Sequence, residues 1–425
     1  MTDAGGASVE AVSAAAGPAS RGSVARVGMA TAITALCGYA VLYLAARRLE
    51  PAGFSLFGVF WGAFGLVTGA AFGLLQESTR EVRALKSPGA VGFPPEIGSR
   101  TRPMWVAGGV AVAAASVIAG TSPLWAPHVF VEQRALSVAL LSLGLAGFCM
   151  HATLLGMLAG DGRWSLYGAL MVIDAVIRVV VAAAAFLLGW GLVGFLWATV
   201  AGSVAWLLVL TGSATARTVA RLQTSGGAGE FLRGAAHSIA AAGASAILVM
   251  GFPVLLKATS GELGAAGGVV ILAVTLTRAP LLVPLTAMQG NLIAYFVDHR
   301  GARLRALLRP AAMVAALGAV GVVAAYLIGP WLLREAFGSQ YRTSGVLLAC
   351  LTAAAVSIGL LTLTGAATVA AALHRAYSLG WVGATAAAAL LLYLPLGLET
   401  RTVVALLCGP LVGIAVHLAA LAQRR

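Results

Sequence analysis

The sequence predicts an all-α integral membrane protein of about twelve transmembrane helices, arranged as two parallel six-helix halves around a central cavity. Hydrophobic residues make up 60% of the 425 residues and charged residues only 10%, whereas roughly 25% of an ordinary soluble domain is charged. Apolar runs of about twenty residues recur, which is the length that a helix needs to cross the hydrocarbon layer. The alternation typical of a membrane β-barrel is absent from the sequence.

Charged residues and Pro/Gly clusters separate the apolar runs and set the helix limits. The predicted spans of the first half are 24–45, 54–76, 104–123, 136–159, 166–188 and 191–213. The turn RRLEPAG divides the first span from the second, and a basic stretch after Gln76 divides the second from the third. The predicted spans of the second half are 235–256, 265–290, 311–333, 344–370, 378–396 and 402–421.

These spans divide the chain into four segments. Residues 1–20, which are rich in Ala, Gly and Ser, are predicted to form a disordered tail. Residues 21–213 and 235–425 form the two six-helix bundles, and 214–234 form a cytoplasmic linker. No connection is long enough to fold as a separate domain, so catalytic machinery would have to lie inside the membrane. This argues against an enzyme.

The net charge of +13 is explained by topology. The predicted loops on one side hold 18 of the 27 Lys and Arg residues and those on the other hold 7, with Arg178 and Arg278 inside spans. The more basic side is predicted to be cytoplasmic, which places both termini there and the protein in the plasma (inner) membrane. No basic groove is interleaved with aromatic residues, so the bilayer is the expected partner and nucleic acid is not.

No cofactor or metal site is predicted. The four cysteines lie singly inside apolar runs, a spacing that fits neither a zinc site nor a loop disulfide. The phosphate-binding GxxxxGK[ST] and zinc-binding HExxH patterns do not occur. Direct use of ATP by this chain is therefore not expected.

The two halves share a layout. The segment from Ala45 to Gln76 resembles that from Ala258 to Gln289, at an offset of 213 residues. Each has a helix, a charged turn, a second helix, a Gln and a basic loop. The layout predicts parallel repeats with a binding cavity between them, unless the likeness is coincidental. Gln76 and Gln289 either anchor helix ends or line a gate.

Two charged residues and one histidine of interest lie well inside the predicted spans of the first half. Asp174 and Arg178 are four residues apart on one helix face, with the acid first, which favours pairing. They form either a structural pair or a functional one, in which Asp174 binds the coupling ion and Arg178 contacts a substrate anion. His151 either relays protons or is a packing residue.

Arg278 lies in the eighth predicted span, beside Thr275 and Thr277 and close to Pro280 and Pro284. The prolines are expected to bend the helix and free its carbonyl groups, which suggests a cavity wall. Arg278 is therefore a candidate for binding phosphate with its planar guanidinium, assisted by the two threonines. The alternative is that Arg278 pairs with Asp174 or with carbonyl groups at a helix end.

Two stretches carry a family resemblance. GYAVLYLAARRLEPAGFSLFG at 38–58, followed by STREVRAL at 78–85, resembles the start of polysaccharide-biosynthesis flippases of the multidrug/oligosaccharidyl-lipid/polysaccharide export superfamily. The matching positions are Arg47, Leu49, Pro51, Phe54 and Arg80, and Arg80 is expected at a gate or helix end. TRAPLLVPL at 277–285 resembles the eighth helix of those proteins.

The resemblance implies a V-shaped bundle that moves a polyprenyl-linked saccharide from the cytoplasmic to the outer leaflet by alternating access. Glycan-assembly enzymes are its implied partners. The predicted spans contain one acidic residue and two arginines well inside the membrane, and this excess of positive charge favours such an anionic substrate. The alternatives are an ion-coupled antiporter for drugs or small amphiphiles, an intramembrane lipid-processing enzyme, and a scaffold for glycan assembly.

Overall fold

The computed structural model of the chain describes residues 21–85, 100–224, 227–299 and 303–423. These residues form helices joined by short turns, and no named strand occurs among them. A single isolated bridge joins Thr101 to Thr224. The predicted tail, residues 1–20, lies outside the described residues.

The helices of the first half follow the predicted spans. They are α1 (Arg21–Ala84), α2 (Pro103–Val129), α3 (Arg134–Asp161), α4 (Trp164–Leu188), α5 (Gly191–Ala201) and α6 (Ala205–Gly212). A 3₁₀ turn, Gly202–Val204, joins α5 to α6, so the sixth span is one interrupted helix. The short helix α7 (Ala214–Ala220) lies within the predicted linker.

The second half contains eight described helices, and the first of them starts inside the predicted linker. Its helices are α8 (Ala228–Val249), α9 (Phe252–Ser260), α10 (Gly264–Ala287), α11 (Gln289–Asp298), α12 (Arg303–Phe337), α13 (Gly345–Ala370), α14 (His374–Leu391) and α15 (Leu398–Ala422). The seventh span is broken between α8 and α9.

The described helices agree with twelve membrane crossings in two halves. Ten of them are long and apolar enough to span a bilayer. The first of these contains two predicted spans, since α1 is kinked at Glu50 (φ 56°, ψ 172°), immediately before Pro51. The predicted eleventh span corresponds to α14, which has 18 residues and falls outside the ten. The all-helical fold class is confirmed.

The two halves meet at one end of the bundle, here called the Tyr341 face, which contains Ala46, Phe54, Phe337 and Tyr341. The Tyr341 hydroxyl donates a hydrogen bond to the Ala46 carbonyl at 3.0 Å. The Tyr341 ring packs edge-on against Phe54 and Phe337, with centroid distances of 6.2 Å in both pairs. The opposite end, where Arg80 lies, is called the Arg80 face.

A second contact between the halves is a seam of glycines on the second arm of α1. A Cβ added at Gly62 would lie 3.0 Å from Pro253, and one added at Gly69 would lie 2.6 Å from the Cβ of Ala246. At Gly73 a Cβ would overlap the backbone of Ile239. Side chains are excluded here because the helix backbones approach closely, as is common between membrane helices.

We expect Gly73→Ala to destabilise the protein, because its Cβ would force α1 and α8 apart. Overpacking of this kind costs about 1–3 kcal/mol, which lowers the midpoint of thermal unfolding in detergent. Gly109→Ala in α2 is the matched control, since a Cβ there meets nothing within 4 Å. Equal midpoints for the two variants would show that the seam tolerates a side chain.

Candidate functional site

The predicted pair on α4 is formed in the structure. Arg178 Nη2 lies 3.0 Å from Asp174 Oδ1, and the side chains are only 15% and 11% exposed, respectively. The Arg178 guanidinium carbon lies 5.3 Å from the centroid of the Phe64 ring, so the ring face supports the cation. Phe64 belongs to α1, and the pair is therefore held between two helices.

The break in the sixth span lies directly over this pair. A Cβ added at Gly202 would overlap Asp174 Oδ1 and would lie 2.6 Å from Arg178 Nε. Glycine therefore lets the backbone of the 3₁₀ turn approach the two charges. Arg178 Nε is buried and has no hydrogen-bond partner among the described residues. The pair retains an unused donor in an enclosed, polar position.

His151 on α3 completes a polar region in the first half. Its side chain is buried, and its ring stacks on Phe148 at a centroid distance of 5.2 Å. Asp174 and Arg178 are both within electrostatic range of this ring. The Nδ1 atom of His151 has no hydrogen-bond partner in the described part of the chain. The structure thus brings the three predicted residues of the first half near one another.

Arg278 lies in the second half and is 7% exposed. Its Nη1 donates to the carbonyl oxygens of Val249 at 3.1 Å and Leu248 at 3.4 Å, where α8 ends. Of the alternatives for Arg278, the geometry matches the contact with helix-end carbonyls. In the described ion pairs Asp174 is paired with Arg178, and Arg278 contacts no carboxylate.

One side of the Arg278 guanidinium remains unused. Nη2 is buried without a hydrogen-bond partner in the described residues, and the guanidinium carbon lies 5.3 Å from the centroid of the Phe252 ring. Thr275 and Thr277 donate their hydroxyl protons to the carbonyls of Ile271 and Ala273, both at 2.8 Å. The threonines can therefore only accept hydrogen bonds from a ligand without giving up these contacts.

The predicted helix-end residues lie apart from these two polar regions. Gln76 is exposed on α1, and Gln289 is the first residue of α11. The Arg80 side chain is 63% exposed and forms ion pairs with Glu77 and Glu81. A gating or anchoring role for these residues stays a prediction.

Sequence reasoning did not single out Glu77, which is 2% exposed. Glu77 lies where the glycine seam reaches the Arg80 face. A Cβ added at Gly234 of α8 would overlap the Glu77 carboxylate. The ion pair between Glu77 and Arg80 could have been predicted from the sequence, because residues three apart are neighbours on a helix. The contact with Gly234 joins distant segments and has no local signature.

Two cavities lie elsewhere. One of about 480 Å³ is lined by Arg26, Arg163, Trp164 and Ser213, among others, and one of about 540 Å³ by Leu207, Arg217 and Arg221, among others. Neither is lined by Arg178 or Arg278. The candidate site consists of two buried polar regions, one in each half.

The chain resembles several mycobacterial proteins. An uncharacterized protein of Mycobacterium bovis and one of Mycobacterium tuberculosis are each 72% identical over 410 residues, covering 96% of this chain and 94% of the relative. A further uncharacterized protein of Mycobacterium tuberculosis is 66% identical over 424 residues, covering 100% of this chain and 96% of its own. No family model matches the chain.

Solved structures of transporters share the fold. An inward-facing multidrug resistance MATE family transporter of the MOP superfamily aligns with a TM-score of 0.66, 16% identity, and coverage of 92% of this chain and 95% of its own. An outward-facing MATE family transporter aligns with a TM-score of 0.63 and 17% identity, and the alignment covers 94% of this chain and 96% of that transporter. A MOP superfamily transporter from Pyrococcus furiosus aligns with a TM-score of 0.60 and 16% identity, and the alignment covers 94% of this chain and 96% of that transporter. The binding pocket of that transporter has reversed polarity, which suggests a different function for it.

We expect Asp174→Asn to destabilise the protein more than the double variant Asp174→Asn/Arg178→Gln. The single change leaves a buried guanidinium without its counter-charge, a loss of about 3–5 kcal/mol in comparable buried pairs, whereas the double change removes both charges. Thermal unfolding of both variants in detergent measures the difference. A double variant less stable than the single one would contradict this account.

Proposed function

This chain belongs to one family with the mycobacterial proteins that it matches over nearly its whole length, and we propose that it is a membrane transporter that works by alternating access. Its proposed substrate is a lipid-linked saccharide or polysaccharide precursor, moved from the cytoplasmic to the outer leaflet. The observation that carries the proposal is the interior charge. Two arginines, Arg178 and Arg278, lie well inside the predicted spans, whereas Asp174 is the one acid there.

Alternating access is supported by how the halves meet. They close at the Tyr341 face through a hydrogen bond and aromatic contacts. Beyond Val274, α10 is less enclosed: Thr275 and Thr277 are half-buried, and Pro284 is exposed. An opening toward the Arg80 face, beside α10, is consistent with this exposure. Solved structures with this fold include both inward-facing and outward-facing conformations.

An anionic substrate is supported by the unused donors. Asp174 balances Arg178, whereas Arg278 has no carboxylate partner in the described ion pairs, and its Nη2 has no partner in the described structure. A pyrophosphate bound there would supply both an acceptor and a counter-charge. The Pyrococcus furiosus transporter, described as having a pocket of reversed polarity, shows that pocket charge differs among proteins with this fold.

The second candidate is an ion-coupled antiporter for cationic drugs or small amphiphiles. It is favoured by the multidrug resistance MATE transporters among the solved structures that share the fold. The buried Arg278 argues against it, because an uncompensated arginine repels a cationic drug. Uptake of a cationic dye such as ethidium, driven by an imposed proton gradient, distinguishes this candidate from the flippase.

The proposed orientation puts the Arg80 face in the cytoplasm of a plasma-membrane protein with both termini inside. The excess of basic residues in the loops at this face supports the orientation. The saccharide would then enter near the Arg80 face and leave near the Tyr341 face. The proposed partners are the bilayer, the polyprenyl-linked substrate and the enzymes that assemble it.

Translocation in proteoliposomes tests the function directly. We expect the wild-type protein to move a fluorescent polyprenyl-pyrophosphate saccharide between leaflets and to respond to an imposed proton gradient. Asp174→Asn/Arg178→Gln, which lacks the buried carboxylate and its partner, is expected to lose the gradient response. Gradient-driven flux that is undiminished in this variant excludes Asp174 as the coupling site, and absence of translocation by the wild-type protein excludes the flippase.

Arg278→Lys tests phosphate recognition. Lysine keeps the charge but lacks the planar pair of donors, so we expect translocation of the pyrophosphate-linked probe to fall about tenfold. Arg342→Lys is the matched control, because Arg342 is exposed near the Tyr341 face. Wild-type flux from the Arg278 variant would argue against a guanidinium–phosphate contact.

A further inference from the structure

The break in the seventh span leaves the carbonyl groups of Ile247, Leu248 and Val249 without backbone donors within the described structure. At the end of α8 the Gly251 amide donates to Ala246 rather than to Ile247. Pro253, four residues after Val249, has no N–H to donate. No backbone amide of the described residues donates across the break to Leu248 or Val249. Unsatisfied carbonyls at this depth are costly in a membrane, so another donor is needed.

The geometry of the break is suited to a cation. Carbonyl oxygens at the end of a helix carry a partial negative charge, and transporters with interrupted helices use such oxygens to coordinate cations. The Phe252 ring adds its electron-rich face at the start of α9. Two carbonyls and a ring face therefore converge on one point, and the Arg278 guanidinium occupies it.

We propose that the break in the seventh span is a monovalent-cation site that the chain fills with its own guanidinium. The described ion pairs place no carboxylate on Arg278, so the carbonyls and the ring supply the attraction. Arg278 thereby holds α8 and α9 in their broken arrangement through Nη1, while Nη2 has no partner among the described residues. If the chain transports as proposed above, this tethered cation keeps a free coupling ion out of the second half and leaves Asp174 as the coupling position.

Chemical replacement tests the site independently of transport. Arg278→Ala removes the guanidinium and opens a cavity of its shape. We expect millimolar guanidinium chloride to raise the unfolding temperature of this variant saturably, by roughly 2–4 °C. Tetramethylammonium chloride, which has the charge but no N–H donors, is expected to have no such effect.

Arg401→Ala is the matched control. Arg401 also donates from Nη1 to a helix-end carbonyl, that of Leu392 at 3.4 Å, but it lies beside the α14–α15 turn. A saturable rise in the Arg278 variant alone supports the proposal. No rise in that variant, or an equal rise in the wild-type protein or the Arg401 variant, overturns it.

A variant that does not fold still gives a result. Arg278→Gln keeps part of the side-chain volume and one donor group, and it serves as the second variant. If neither variant yields folded protein in plain buffer, the yield of monodisperse protein purified with and without guanidinium is compared. A gain with guanidinium supports the proposal and an unchanged yield overturns it. Because no assay here measures flux, failure of the cation site is distinguishable from failure of the proposed transport.

Discussion

The constraint on which this structure depends is that, in lipid, a helix has to satisfy its own backbone polar groups, and each interruption needs a polar partner. The two interrupted spans follow this rule. The 3₁₀ turn of the sixth span begins at Gly202, against Asp174 and Arg178. The break in the seventh span is bridged by Arg278, which donates to Val249. Asp174, Arg178 and Arg278 therefore lie against helix interruptions, where charged side chains and free backbone groups interact favourably.

This pairing gives the two halves the same architecture but different electrostatics. In the first half the charge is balanced, because Asp174 and Arg178 face each other at 3.0 Å. In the second half Arg278 is balanced only by helix-end carbonyls and the Phe252 ring. A carboxylate that can lose its charge suits ion coupling, and a fixed guanidinium suits an anion. The asymmetry is therefore the physical basis for assigning ion and substrate to different halves.

Much of this arrangement could be predicted from local sequence. The spans follow from hydropathy, and the Asp174–Arg178 pair follows from its four-residue spacing, because both depend on neighbours along one helix. The position of the break could not be predicted in the same way. Pro280 and Pro284 suggested a bend in the eighth span, yet α10 is a single helix through both, and the interruption lies instead in the seventh span before Pro253. Which proline breaks its helix depends on the packing and polar groups around it, and those come from distant segments.

The contacts between the halves differ in kind, and the difference bears on motion. Along the seam, glycines such as Gly69 let α1 approach α8 so closely that a methyl group would not fit. At the Tyr341 face the contacts between the halves include the hydrogen bond from Tyr341 to Ala46, the aromatic pairs Tyr341–Phe54 and Phe337–Tyr43, and a close approach of Gly268 in α10 to the Pro51 backbone. A hydrogen bond or an aromatic pair of this kind contributes about 1 kcal/mol. The hydrogen bond and the aromatic pairs at the Tyr341 face thus amount to a few kcal/mol, in addition to the backbone packing at Gly268. The seam depends on close backbone packing over several turns, so separating it costs many dispersion contacts at once.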